Sequence, residues 1–117
     1  MSLDPRDLLP LPPHDFHVLL ALADGPRHAY GLATTEPGED GVRLELGSLY
    51  RILARLTSSG LIAEDRNTTT EGGPEARRRY YRLTSFGRRV AEAESARLQA
   101  VLRLARQRRL VTGKGGS

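Results

Sequence analysis

Ser48, Tyr50, Arg51 and Arg55 stand within the stretch GSLYRILARLTSSGLI, residues 47–62, and all four can meet an anion. A guanidinium is a planar fork of donors that pairs bidentately with phosphate or with a guanine edge. Arg51 and Arg55 are four residues apart, which on a helix places them on one side. Tyr50 offers a hydroxyl for phosphate or base and a ring for thymine methyls, and Ser48 a further hydroxyl. A second basic cluster, Arg77, Arg78 and Arg79, puts three adjacent cations together, partly screened by Glu71 and Glu75. Such a run fits phosphate, or else is a solvated charge run.

Catalytic chemistry finds no comparable constellation. His14 and His17 could supply two metal ligands, but no third ligand stands near them, and paired His at a helix start are ordinarily capping or surface residues. GEDG and EGGPE lack the Lys-Ser/Thr or the helix of a phosphate loop. Gly47-Ser48 is not a nucleophile elbow, because no Gly stands two residues after the Ser. The expectation is a non-enzyme with no cofactor and no metal.

Charge is divided unevenly along the chain. Residues 1–46 hold three Arg against eight acids, a net −5, while residues 47–117 hold fifteen Lys and Arg against six acids, a net +9; together these give +4. Seventeen of the eighteen basic residues are Arg, so the second half is suited to a polyanion. Genomic base composition accounts for part of an Arg bias, but not for where the Arg sit. The 117 residues allow one domain with a modest core. No apolar run is long enough to span a membrane, and the Pro-rich, partly acidic N-terminus lacks a secretory pattern. The absence of Cys excludes disulfides and suits a reducing compartment, so the expected location is the cytoplasm.

The elements that must carry these residues follow from periodicity. Residues 1–13 read as an extended Pro-rich arm. A helix is expected over 14–24, with Phe16, Leu19, Leu20 and Ala23 as its core stripe and Gly25-Pro26 as its stop. A second is expected over 28–36, ended by Pro37. Val42, Leu44 and Leu46 alternate with Arg43 and Glu45 as in a short strand. Leu49, Ile52, Leu53 and Leu56 then mark a third helix, capped by Ser48 and stopped before Gly60. Residues 61–66 and 79–84 read as the strands of a long-tipped β-hairpin, with the polar residues 67–78 between them. Thr84 caps a long last helix reaching about residue 110, and 111–117 form a flexible tail.

That order predicts a mainly α chain with a small β-hairpin, a winged helix-turn-helix with a long C-terminal dimerisation helix. The winged unit spans 14–84 and the dimerisation helix 85–110. In this architecture the third helix enters the DNA major groove and the hairpin rests on the flanking backbone. The rival is a winged-helix module for protein contacts, which would not need Tyr50, Arg51 and the Arg77–79 run on one surface. On the last helix Phe86, Val90, Ala93, Leu98, Val101, Leu102, Leu104 and Ala105 cover about half the circumference. So broad an apolar arc implies a second copy as partner, hence a homodimer. Glu94 and Arg97 fall inside it at i, i+3 and are expected to pair there.

The motifs His28-Ala29-Tyr30, GSLYRIL (47–53), RLTSSGLI (55–62) and RRRYYRLTSFGRR (77–89), in this order, resemble the PadR family of bacterial transcriptional regulators. The resemblance covers about residues 14–110. It implies a homodimeric winged-helix repressor of double-stranded, inverted-repeat operator DNA, dimerised through its C-terminal helix and often released by a small molecule such as a phenolic compound or drug. It places Tyr30, Ser48, Tyr50 and Arg51 at positions that usually face DNA and Arg77 to Arg79 in the basic wing. Tyr81, Leu83, Thr84 and Gly87 match structural positions. Two departures stand out: Ala29 precedes Tyr30 where the family commonly has Gly, with Gly31 after it in place of an acid, and the chain has no Trp on which a planar ligand could stack. The effector is therefore left unknown.

Overall fold

The computed structural model describes residues 4–33, 36–65 and 79–112. Its first segment is not extended. Asp4 accepts a bond from the Arg6 amide (2.9 Å) and caps a 3-10 turn, Pro5–Leu8. Pro5 fixes a φ suited to a first helical turn, and the apolar Leu8, Leu9 and Leu11 turn onto the core, with Leu11 buried.

Helix α1, Pro13–Leu22, buries Asp15, Val18, Leu19 and Leu22 at i, i+3, i+4 and i+7. Only Leu19 of the expected stripe is fully buried; Phe16 and Ala23 are half-buried, and Leu20 is exposed. The stripe is rotated because its first member is a carboxylate, which a count of apolar residues assigns to the outside. Strand β1, Arg27–His28, follows, a two-residue element too short to have a period. Helix α2 is only Ala29–Leu32, shorter than the expected 28–36, and its N-terminus is capped by His28, whose Nδ1 accepts from the Gly31 amide (3.0 Å).

The expected strand at Val42–Leu46 does not form. Asp40 accepts from the Val42 amide (3.1 Å), and the Gly38 amide donates to the Val42 carbonyl (2.9 Å), which folds 38–42 into a turn. Leu44 is buried as a single anchor, while Leu46 already belongs to α3. Helix α3, Leu46–Ser58, starts three residues before a Ser48 cap would begin it, with Glu45 at the N-cap position and no side-chain capping bond; Ser48 is not its cap. Its inward stripe of Leu49, Ile52, Leu53 and Leu56 is buried as expected. Each such burial contributes about 1.5–3 kcal/mol relative to exposure.

The helix ends in a Schellman motif. The Gly60 amide bonds to Thr57 (3.1 Å) and the Leu61 amide to Leu56 (3.0 Å), with Gly60 at φ +81. Strands β2, Ile62–Asp65, and β3, Tyr80–Leu83, form the hairpin, with Ile62 opposite Leu83 and Asp65 opposite Tyr80. β1 joins the other edge of β3, giving the order β1–β3–β2, so Arg27–His28 supplies the third strand in place of 42–46. The hairpin tip, residues 66–78, lies outside the described residues.

Helix α4, Ser85–Gln107, is capped as expected by Thr84, whose Oγ1 accepts from the Gly87 amide (2.9 Å). The same hydroxyl lies 2.7 Å from the Gly60 carbonyl oxygen, which ties the start of α4 to the end of α3. Gly87 permits this closeness, since a Cβ there would fall 2.0 Å from the Leu61 carbonyl oxygen. Among the described residues, no helix is long and apolar enough to cross a membrane.

Candidate nucleic-acid interface

The buried stripe of α3 fixes which side the helix turns outward. At about 100° per residue, Arg51 lies near the middle of that side, with Tyr50 on one flank and Ser48 and Arg55 on the other. Ser48, Tyr50, Arg51 and Arg55 are all exposed, Tyr50 by half. Gly47, just before them, faces open space, so a side chain there would meet nothing within 4 Å.

These four residues do not stand in equivalent surroundings. Arg55 is engaged with Asp15 of α1: its Nε donates to Oδ2 (3.3 Å) and its Nη2 to Oδ1. No apolar count or spacing rule pointed to Asp15. The available signal was its place at the head of a stripe continued by Val18, Leu19 and Leu22.

Tyr30 projects from α2 and is more than half exposed. Its helix is tied to the wing by the rings of His28 and Tyr80, edge to face with centroids 5.3 Å apart. On the wing, Arg79 is largely exposed and meets Glu64 across the hairpin at 3.5 Å. Arg77 and Arg78 lie outside the described residues. Tyr81 points inward and Arg82 outward, so Arg82 adds a cation to the same strand that the sequence reading passed over; alternation from Tyr81 could have found it. Burial, with the Glu64 carboxylate nearby, pushes the Tyr81 phenol above its ordinary value, so it stays neutral across the working range. His17 is engaged with Asp40, whose carboxyl it holds below the usual range.

Helix α4 carries the other surface. Val90 is fully buried in the chain's own core, Phe86 is half-buried and packs against that core, and Ala93 is half-buried. Further along, Leu98 is 39% exposed, Val101 48% and Leu102 41%, while Ala105 is half-buried. Leu98 and the exposed Leu20 of α1 line one hollow of about 220 Å³, which joins the two helices' apolar faces.

Glu94 and Arg97 pair as expected, with Arg97 Nε donating to Oε1 at 2.6 Å, and the buried Glu94 carboxylate also accepts from the Leu11 amide at 3.1 Å. Arg97 first, then the Leu11 amide, hold this carboxyl below its ordinary value against the opposing effect of burial. A depressed folded-state value contributes stability that is present above the unfolded value, about 4.3, and is lost as pH falls through the folded one. Glu94→Gln should therefore be less stable than the parent at pH 7, with the gap closing below about pH 4. Thermal melts of both proteins between pH 7 and 3 check this; a constant gap rejects it.

Residues 18–93 match the transcriptional regulator PadR-like family. An uncharacterized 37.1 kDa protein in transposon TN4556 of Streptomyces fradiae is 41% identical over 78 residues; the match covers 67% of this chain but only 21% of that protein. This chain thus spans about a fifth of the length of that curated relative. Among solved structures, a PadR family transcription regulator from Clostridium difficile superposes with TM-score 0.67 at 23% identity, covering 80% of this chain and 95% of that one. One from Eggerthella lenta gives TM-score 0.62 at 29% identity, covering 93% and 87%. Bacillus subtilis PadR, solved in complex with operator DNA, gives TM-score 0.60 at 22% identity, covering 72% and 46%.

Proposed function

The chain belongs to the PadR-like family of transcriptional regulators, and we propose that it acts as a homodimeric, sequence-specific repressor of operator DNA. The observation that carries this is the outward side of α3, where Tyr50 and Arg51 stand exposed over a fully buried stripe. Tyr30, Ser48 and the wing's Arg79 supply further hydroxyl and basic groups, and Arg77 and Arg78, which lie outside the described residues, are assigned to the same contact from their place in the sequence. A structural relative, Bacillus subtilis PadR, was solved with operator DNA, which supports the same use of the fold here. The exposed Leu98, Val101 and Leu102 support a second copy as the partner of α4. Repression, and release by a small-molecule effector, follow from the family resemblance. A chain of this kind works in the cytoplasm and needs neither cofactor nor catalytic residue.

Two recognition helices related by a two-fold axis require a two-fold site. In vitro selection from random duplexes should enrich an inverted repeat whose half-site centres lie about 10 base pairs, or a multiple, apart. Enrichment of a lone half-site, or none over random duplex, counts against the proposal.

A further inference from the structure

We propose that Asp15 is a positioning residue for DNA binding: its buried carboxylate fixes Arg55 and thereby sets how α3 presents Tyr50 and Arg51. The inference rests on the DNA-binding function proposed above and assigns a task to a residue outside the DNA-facing surface.

Asp15 is 4% exposed, whereas the Arg55 side chain is 53% exposed. Both carboxylate oxygens take a guanidinium N–H, Oδ2 from Nε at 3.3 Å and Oδ1 from Nη2. The pair joins α1 to α3 across 40 residues of sequence. Along its length α3 is otherwise held by Leu46, Leu49, Ile52, Leu53 and Leu56, and at its end by the Thr84 bond to the Gly60 carbonyl; the apolar contacts have no direction. They set which side of the helix is buried, but on its outward flank a small roll about the axis is opposed by packing alone. A two-pronged guanidinium–carboxylate pair has a plane, and so resists that roll. Asp15 lies in the first turn of α1. Arg51 is one turn before Arg55 and Tyr50 five residues before it, so a rotation at Arg55 is transmitted directly to both.

The same geometry separates Arg55 from Arg51 in function. Moving Arg55 onto a phosphate would leave a buried carboxylate without its cation, an unfavourable exchange. Arg55 therefore serves as the tether, and its charge is already matched when DNA arrives.

The decisive contrast is one of sign. Asp15→Asn removes a negative charge near the DNA-facing helix, which by long-range electrostatics alone would strengthen binding to every duplex. Positioning predicts the reverse: about tenfold weaker operator binding, random-duplex binding unchanged or slightly stronger, and hence a reduced operator-to-random ratio. Arg55→Gln should lower that ratio similarly with the salt slope nearly unchanged, and the double variant should lose no more than the worse single one. The double Asp15→Leu/Arg55→Met, which exchanges the pair for apolar volume, guards against unfolding and should fold with the same relaxed ratio. Circular dichroism melts establish that each variant is folded at the assay temperature. Folded variants with the parent's operator-to-random ratio, or a slope reduced by about one unit per subunit in Arg55→Gln, overturn the inference. A parent that prefers no duplex overturns both it and the DNA-binding proposal, so the two failures are distinguishable.

Discussion

Replacing Arg51 with Ala is expected to weaken operator binding by about 1–3 kcal/mol in each half-site, and to relax base preference at one position of that half-site. In a two-fold complex the lower figure already amounts to about thirtyfold. The effect is concentrated at Arg51 because of where the helix turns it. Leu49, Ile52, Leu53 and Leu56 are buried, so the middle of the opposite side, where Arg51 stands, is the part that reaches deepest into a groove. Arg55 is on the flank and already engaged with Asp15. The wing gives the control. Arg79 is exposed, and its ion pair with Glu64, 3.5 Å long at the surface, holds it only weakly. Arg79→Ala should weaken operator and random duplex about equally and flatten the salt slope by about one unit per subunit, because a released counterion carries no sequence information. Titrations of both variants on both duplexes at several salt concentrations separate them. If Arg51→Ala keeps the base preference and Arg79→Ala alters it, the roles of helix and wing are reversed.

What the sequence disclosed, and what it concealed, divides along the same physical line. The α3 stripe, the hairpin strands and the Thr84 cap were legible because each is a local pattern repeated over several residues or a side chain bonding its own helix. Val42–Leu46 looked like a strand by alternation, yet strand formation needs a neighbour, and β3 had its free edge taken by Arg27–His28. Two residues carry no period, so that pairing could not be foreseen from spacing. Asp15 was concealed for a different reason: a carboxylate is scored as outward until its partner, 40 positions away, is brought to it. At the surface, the outward placement of Tyr50 and Arg51 was legible from the stripe behind them, whereas the pairing that sets Arg55 apart from Arg51 is a tertiary fact. The long helix divides similarly. Its apolar arc was legible, but only packing shows that Val90 and Phe86 meet the chain's own core while Leu98, Val101 and Leu102 stay exposed.

The double substitution Val101→Asp/Leu102→Asp is expected to have the larger consequence of the two changes, although neither residue approaches DNA in the proposed complex. Leu98, Val101 and Leu102 stand at i, i+3 and i+4 on α4, C-terminal to the buried Val90 and Glu94. In a single chain they are 39%, 48% and 41% exposed, so Asp at 101 and 102 leaves the winged unit folded. In a dimer the same positions are covered, and each unpaired carboxylate placed there costs on the order of a few kcal/mol. Two such charges per subunit, facing their symmetry mates, exceed what a small apolar interface supplies. Light scattering at micromolar concentration should then report a dimer for the parent and a monomer for the variant, with the helical signal retained. Operator affinity should fall by about a hundredfold or more. Linking two half-site readers makes the second contact intramolecular, at an effective concentration near millimolar, and an isolated monomer forfeits that gain. Random-duplex binding, which needs only one wing and one helix at a time, should fall much less. A parent that is monomeric, or a variant that stays dimeric, removes α4 from the interface; a monomeric variant with undiminished operator affinity would show that one subunit suffices to read the site.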